Sequence, residues 1–154
     1  MSISEIIAYL VKDGCNNLSS KINWDTFSKN PICQGGFGDI YRGNLLDGTC
    51  VAVKTARFVT DRDPKHLKHA AQELHAWSKL KHRNIIPLLG LVVFRDRIGM
   101  VSPWMRHGNL PQYLERTQEA NRAGMCVQIC EGLAYLLKGY RTYVYTANNI
   151  MEWY

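Results

Sequence analysis

Three glycines and one lysine form the part of this sequence whose residue types are best suited to chemistry. Gly35, Gly36 and Gly38 lie close together, and Lys54 follows the apolar run 51–53. Because glycine has no Cβ, the backbone N–H groups of such a turn can approach an anion closely. A lysine at the end of a strand would add a positive charge for phosphate oxygens. The pattern indicates a phosphate-binding loop, and an ordinary hairpin that needs positive φ is the alternative.

The elements around these residues are predicted to be short strands. Residues 32–54 indicate two strands around the glycine-rich turn and a third strand that ends on the lysine. Asp47 and Gly48 supply the turn between the second and third strands, because glycine or a small Asx residue tolerates positive φ there. Two further apolar runs, 91–94 and 98–102, are separated by a polar turn and add two more strands.

A helix is predicted after the third strand. Asp63 and Pro64 resemble an N-cap followed by proline at the first helical position. Apolar residues then recur with helical period. They are Leu67, Ala70, Ala71, Leu74 and Trp77. Glu73 borders this apolar face, where a charged residue is usually a solvated neighbour of the buried stripe.

With Val-Ala-Val-Lys at 51–54 following at hairpin distance, the glycine-rich stretch resembles the loop and strand lysine of the protein kinase family, closest to its tyrosine-kinase-like branch. Gly35 and Gly38 match the second and third glycines of the family's G-x-G-x-x-G, whereas Cys33 replaces the first. Residues 80–85, Leu-Lys-His-Arg-Asn-Ile, resemble the family's L-x-H-x-N-I segment. In that register Glu73 matches the helix glutamate that pairs with the strand lysine.

The resemblance implies an α+β fold. A protein-kinase-like N-terminal lobe, with a five-stranded antiparallel sheet and one helix, would precede an incomplete helical C-terminal lobe. The expected boundaries are a lead-in helix and loop over 1–29, the N-terminal lobe over 30–101, a hinge over 102–108 and the partial helical lobe over 109–154. The implied function is ATP binding, with Mg²⁺, and phosphoryl transfer from ATP to Ser, Thr or Tyr of a protein.

The resemblance also implies roles for individual residues. Lys54, held by Glu73, would contact the α/β-phosphates, and loop amides would cover them. Ser102 falls at the gatekeeper position, and the Met105 N–H and C=O would bind adenine because the neighbouring Pro103 has no N–H. Ile32, Ile40 and Ala52 would enclose the adenine, and Asn149 would hold magnesium. The full set of implied cofactor contacts is Ile32, Gly35, Gly36, Phe37, Gly38, Ile40, Ala52, Lys54, Ser102 and Met105.

The family register fails after a helical stripe that ends at Gly139. The family would next present H-R-D-L-x-x-x-N, but aligning Asn149 with the final asparagine puts Val144 at the catalytic aspartate. Missing residues between Val144 and Ala147 are the other alignment, and neither supplies an aspartate. The chain stops at Tyr154, before any Asp-Phe-Gly. We therefore expect a truncated, catalytically impaired kinase domain. The alternatives are a non-catalytic nucleotide- or partner-binding pseudokinase fragment and a truncated product without an independent role.

An amphipathic helix is predicted at the N-terminus. Ser2 and Glu5 have capping-box spacing and Gly14 is a stop signal. The apolar face comprises Ile3, Ile6, Ile7, Leu10 and Val11. Packing of this face against the domain is favoured over packing against a partner.

Composition and charge narrow the remaining classes of function. The net charge is +6, but the 19 Lys and Arg are scattered and interleaved with 13 Asp and Glu. This favours a solvated basic surface over a nucleic-acid site. Five cysteines without repeated spacing indicate a reducing compartment, and no run approaches the roughly 18 apolar residues of a membrane span. A cytoplasmic location is expected.

Two pairs of potential metal ligands lie one helical turn apart. His66 and His69 are interpreted as solvated residues, and Cys126 and Cys130 as small buried hydrophobes on an apolar stripe. No zinc site is predicted.

Overall fold

The computed structural model describes residues 2–34, 38–56 and 64–139. Two short 3₁₀ turns, Ser19–Lys21 and Trp24–Thr26, flank the first strand. The helices and strands, in chain order, are α1 (Ile3–Lys12), β1 (Ile22–Asn23), β2 (Cys33–Gln34), β3 (Gly38–Leu45), β4 (Cys50–Ala56), α2 (Pro64–Ser78), β5 (Gly90–Phe94), β6 (Arg97–Pro103), α3 (Leu110–Arg116) and α4 (Arg122–Gly139).

The chain divides into two compact units. The first unit comprises Met1–Leu80 and Pro87–Trp104, and the second comprises Lys81–Ile86 and Met105–Tyr154. The first unit contains the sheet with α1 and α2, and the second contains α3 and α4.

The sheet of the first unit is antiparallel, with strand order β1-β3-β4-β6-β5 and β2 paired with β3. The β3–β4 hairpin turns at Asp47 and Gly48, where Gly48 has φ 86° and the Asp47 carboxylate accepts a hydrogen bond from the Thr49 N–H at 2.9 Å. The predicted α+β class is therefore confirmed. The sheet also contains β1, which the sequence did not predict because two residues are too few to show strand alternation.

The β5–β6 hairpin turns on two residues that are not glycine. Arg95 and Asp96 have φ of 51° and 61°, as a two-residue hairpin turn with the favoured twist requires. The Arg95 guanidinium donates to the carbonyls of Ser28 and Lys29 at 3.0 and 2.8 Å and lies 4.8 Å from the centre of the Tyr41 ring. These contacts hold the turn against the chain that leads into β2.

One face of the sheet carries the main core. Its buried members are Leu18, Ile22, Phe27, Tyr41, Leu45, Val51, Val53, Val92, Phe94 and Val101. Phe94 is central, because the rings of Tyr41 and Phe27 lie 4.8 and 5.3 Å from it. Trp24 also contacts Phe94, at 5.8 Å, but remains about half exposed. The loop before β2 therefore buries Phe27 fully and Trp24 only in part.

The predicted N-terminal helix is present as α1, with both hydrogen bonds of its capping box. The Ser2 N–H donates to the Glu5 carboxylate at 2.7 Å, and the Glu5 N–H donates to Ser2 Oγ at 3.3 Å. Ile6 and Leu10 are buried, and α1 packs against α2 within the first unit.

The second unit joins the segment 81–86 to α4. The Tyr135 hydroxyl accepts a hydrogen bond from the Lys81 N–H at 3.1 Å, and its ring stacks on His82 at 4.9 Å. The Asn84 side chain donates to the Glu131 carboxylate at 2.8 Å.

The expected burial of Cys126 and Cys130 is wrong, because both lie exposed on α4. Val127 and Leu137 on the same helix are also more than half exposed. An apolar stripe predicts a face that another element covers, and no element among the described residues covers this one.

Candidate nucleotide site

Strand register brings four of the predicted cofactor residues onto one face of the sheet. Ile40 of β3 lies opposite Lys54 of β4, and Ala52 lies opposite Ser102 of β6. Opposed residues in an antiparallel pair project to the same face, and positions two apart along a strand do so as well. These four residues therefore share the face opposite the main core.

An ion pair connects this face to α2. The Lys54 Nζ lies 3.5 Å from the Glu73 Oε1, and the two side chains are only 5% and 16% exposed. Burying an ammonium group is costly unless an opposite charge accompanies it. Glu73 offsets that cost and leaves the lysine on the shared face of β4, which continues beyond Lys54 to Ala56.

The glycine-rich turn can be described only at its flanks, since Gly35, Gly36 and Phe37 lie outside the described residues. The Ile32 N–H donates to the Ile40 carbonyl at 2.8 Å, and Cys33 lies opposite Ile40 in the β2–β3 ladder. β2, before the turn, and β3, after it, are therefore paired in register. Ile32 is about half exposed, and Ile40 is partly buried.

Gly38, at the start of β3, is the one glycine among Gly35, Gly36 and Gly38 that the structure describes, and its surroundings require a glycine. A Cβ built at this position would stand 2.5 Å from the Thr55 carbonyl oxygen. Because that oxygen belongs to the backbone of β4, it cannot rotate away. The close approach of β3 to β4 at the base of the turn therefore needs glycine. Cys33, which replaces the family's first glycine, is exposed and accommodated in β2.

The end of β6 and the segment after it contain the predicted gatekeeper, Ser102, and the predicted adenine contact, Met105. Ser102 is fully buried, and its hydroxyl has no hydrogen-bond partner in the described part of the chain. The Trp104 N–H donates to the Cys50 carbonyl at 3.1 Å, and the Arg42 guanidinium lies 5.2 Å from the centre of the Trp104 ring.

Met105 belongs to the second unit. Its carbonyl accepts a hydrogen bond from the Gly108 N–H at 3.3 Å, and its contact with adenine stays a prediction.

The predicted magnesium ligand, Asn149, lies outside the described residues. Within ranges 2–34, 38–56 and 64–139, no group of three or more His, Cys, Asp or Glu is arranged to hold a metal ion. Mg²⁺ bound with a nucleotide takes much of its coordination from phosphate oxygens and water. The magnesium site therefore stays a prediction.

Two sets of contacts in the first unit were not predicted from the sequence. Arg42 packs on Trp104, and Asp13 at the end of α1 contacts His75 and Lys79. The spacing of His75 and Lys79, one helical turn apart, was the available signal for a carboxylate partner. Nothing in the sequence indicated which carboxylate.

In the described part of the chain, we find no helix with the length and apolar character needed to cross a bilayer.

The chain belongs to the protein kinase family. The family model for protein tyrosine and serine/threonine kinases matches residues 27–144, which confirms the resemblance drawn from the glycine-rich stretch. The match begins before β2 and includes both Lys54 and Glu73.

Relatives in plants show the same similarity. Calmodulin-binding receptor-like cytoplasmic kinase 1 of Arabidopsis thaliana is 32% identical over 114 residues, covering 71% of this chain and 24% of that protein. Brassinosteroid LRR receptor kinase BRL3 of Oryza sativa subsp. japonica is 34% identical over 112 residues, covering 68% of this chain and 9% of that protein. The chain thus spans a quarter or less of the length of these relatives.

Proposed function

We propose that this chain binds ATP through the sheet face that carries Ile40, Ala52 and Lys54. The observation that carries the proposal is the buried ion pair between Lys54 and Glu73, at 3.5 Å. A lysine held in this way has its positive charge in a fixed position, and a fixed positive charge suits the oxygens of a phosphate. Ile40 and the small Ala52 supply apolar groups on the same sheet face as that charge, and apolar groups suit an adenine ring.

The family reaction is phosphoryl transfer from ATP to a protein hydroxyl, and this chain lacks one part of that machinery. Residues 140–149, where the resemblance to the family puts the catalytic loop, contain no aspartate that could serve as its base. Loss of a positioned general base lowers rates by roughly 10²- to 10⁴-fold. We therefore expect the 154-residue polypeptide to bind nucleotide and to transfer phosphate slowly or not at all.

A non-catalytic binding module is the second candidate function, and the absence of aspartate from residues 140–149 favours it. The two candidates share nucleotide binding and differ in turnover. Under either, the chemistry of the chain suits a reducing, cytoplasmic environment, because all five cysteines are free thiols.

Nucleotide binding is tested by calorimetric titration of the chain with ATP, with Mg²⁺ and again with EDTA. Lys54→Met should weaken ATP binding about tenfold or more, since a charge-assisted contact is lost. Lys68→Met makes the same change at an exposed position on α2 and should bind like the wild type. Equal affinity of the Lys54→Met variant and the wild type would contradict the proposal.

Turnover separates the two candidate functions. Phosphate incorporation into a generic protein substrate should stay at the level of the Lys54→Met variant. Incorporation that exceeds this level would establish the chain as an active kinase.

A further inference from the structure

Asp13, at the C-terminal end of α1, makes a compact set of contacts with the C-terminal end of α2. One carboxylate oxygen, Oδ2, lies 2.8 Å from both the His75 Nδ1 and the Lys79 Nζ. The Lys79 ammonium also donates to the Asp13 main-chain carbonyl at 3.0 Å. The C-cap residue of α1 therefore contacts two basic side chains at the end of α2, His75 in its last turn and Lys79 just after it.

The position of Asp13 is unfavourable for a carboxylate unless it is paired. The C-terminal end of a helix carries partial negative charge, which repels an anion. Asp13 caps the end of α1 and also lies beside the end of α2, so it meets this repulsion from both helices. Lys79 supplies the positive charge that makes the arrangement favourable, and His75 adds a second contact to the carboxylate.

The chain that follows Asp13 is hydrogen-bonded to the sheet. Leu91 of β5 donates from its N–H to the Asn16 carbonyl at 2.8 Å, and the Leu18 N–H donates to the Leu91 carbonyl at 2.8 Å. The Asn16 side chain donates to the Leu89 carbonyl at 3.2 Å. Asp13 thus stands three residues from a segment that is hydrogen-bonded to the same sheet that carries Lys54.

The contacts of Asp13 and of Lys54 lie on different sides of α2. Successive residues of an α-helix are rotated by about 100°, so Glu73 and His75 point about 200° apart around the helix axis. Glu73 faces the sheet and contacts Lys54, whereas His75 faces α1 and contacts Asp13. Two contacts on nearly opposite sides fix the rotation of the helix about its own axis.

We propose that Asp13 is a positioning residue, which holds α2 in the rotation that brings Glu73 to Lys54. It does not touch the nucleotide and acts through the ion pair. This inference rests on the proposed ATP binding, since the ion pair affects affinity only if Lys54 contacts the phosphates. The coupling between Asp13 and α2 can nevertheless be measured without any nucleotide.

The first arm of the test measures hydrogen exchange of amides 67–79 in the nucleotide-free chain. Asp13→Lys and the milder Asp13→Asn should both raise exchange in α2. Asp25→Lys makes the same charge change as Asp13→Lys at an exposed site and should not. Combining Asp13→Lys with Lys79→Glu should restore protection by reversing the pair. Exchange in both Asp13 variants that matches the Asp25→Lys control would overturn the inference.

The second arm measures ATP affinity with the same variants. Asp13→Lys should weaken binding about threefold to tenfold, the usual range for residues that act through others. In a Glu73→Gln background the same substitution should have no further effect, because the path from Asp13 to Lys54 is already broken. An undiminished effect in that background would show that Asp13 does not act through Glu73. If Asp13→Lys does not fold, Asp13→Asn decides both arms.

The two arms separate failure of this inference from failure of the proposed function. A wild-type chain that binds no ATP would overturn the proposed function and with it the role of Asp13 in affinity. The exchange arm would still show whether Asp13 holds α2. A wild-type chain that binds ATP, with variants that bind equally well, would overturn only the positioning role.

Discussion

The ammonium of Lys54 and the carboxylate of Glu73 lie 3.5 Å apart between β4 and α2, both largely shielded from water. Removing one partner of a buried pair leaves an uncompensated charge, whereas replacing both with apolar residues of similar size is often neutral. Glu73→Leu should therefore lower the free energy of unfolding by about 3 kcal/mol. Lys54→Met combined with Glu73→Leu should recover most of this loss. Urea unfolding of the single and double variants measures the difference, and simple addition of the two single effects would contradict the account.

Part of the stability that the chain loses as the pH falls below about 4 should come from Asp13. Hydrogen bonding from Lys79 holds the pKa of the Asp13 carboxyl below its ordinary value of 3.8, and the positive charges of Lys79 and His75 act in the same direction. Because the folded state has the lower pKa, the stabilisation is present above the unfolded pKa and is lost as the pH falls below it.

The Asp13 effect is measured by chemical unfolding of Asp13→Asn and the wild type from about pH 5 down to about pH 2.5. The wild type should be the more stable at the upper end, and the difference should shrink as the pH falls through 3.8. Asp25→Asn is the matched control. A difference that stays constant across the whole range would argue against an ionised Asp13 as the source.

Thr55 and Thr26 allow one isosteric change to be compared in opposite settings. Thr55 is buried in β4, and its hydroxyl has no hydrogen-bond partner in the part of the chain that the structure describes. Thr55→Val should raise the free energy of unfolding by about 1 kcal/mol, because a buried hydroxyl without a partner is costly.

Thr26→Val should have the opposite sign. The Thr26 hydroxyl donates to the Asn23 carbonyl at 2.7 Å and accepts from the Asn44 N–H at 2.8 Å. Losing these bonds should lower the free energy of unfolding by about 1 kcal/mol. Thermal or urea unfolding of both variants tests the pair, and destabilisation by Thr55→Val would indicate a partner for its hydroxyl.

The sheet was largely predictable because its signals are local. The turn at Asp47 and Gly48 fixes the β3–β4 register, and that register places Ile40 opposite Lys54 without further information. Strand β1 could not be predicted, since its two residues pair with β3 only after the intervening chain has folded back. The local sequence pattern thus predicts the longer strands, whereas the shortest strand forms through tertiary contacts that the pattern does not show.

Long-range contacts limited the prediction of the site. Glu73 could be paired with Lys54 only through the resemblance to the kinase family, since nothing in the local pattern joins the flank of a helix to a residue within a strand. The contact of Asp13 with α2 spans more than 60 residues of sequence and had no such guide. The prediction that Cys126 is buried was wrong for a related reason. An amphipathic pattern shows which face of a helix could be covered, but it does not show whether another element covers that face.

The central claim is that Lys54 contributes to nucleotide binding by contacting phosphates, and comparing ATP with adenosine tests this most directly. Both dissociation constants are measured, with Mg²⁺, for the wild type, Lys54→Met and the Lys68→Met control. We predict that the wild type and the control bind ATP more tightly than adenosine. Lys54→Met should lose most of that preference while keeping its affinity for adenosine. An equal loss of affinity for both ligands, or a wild type without preference for ATP, would contradict the account.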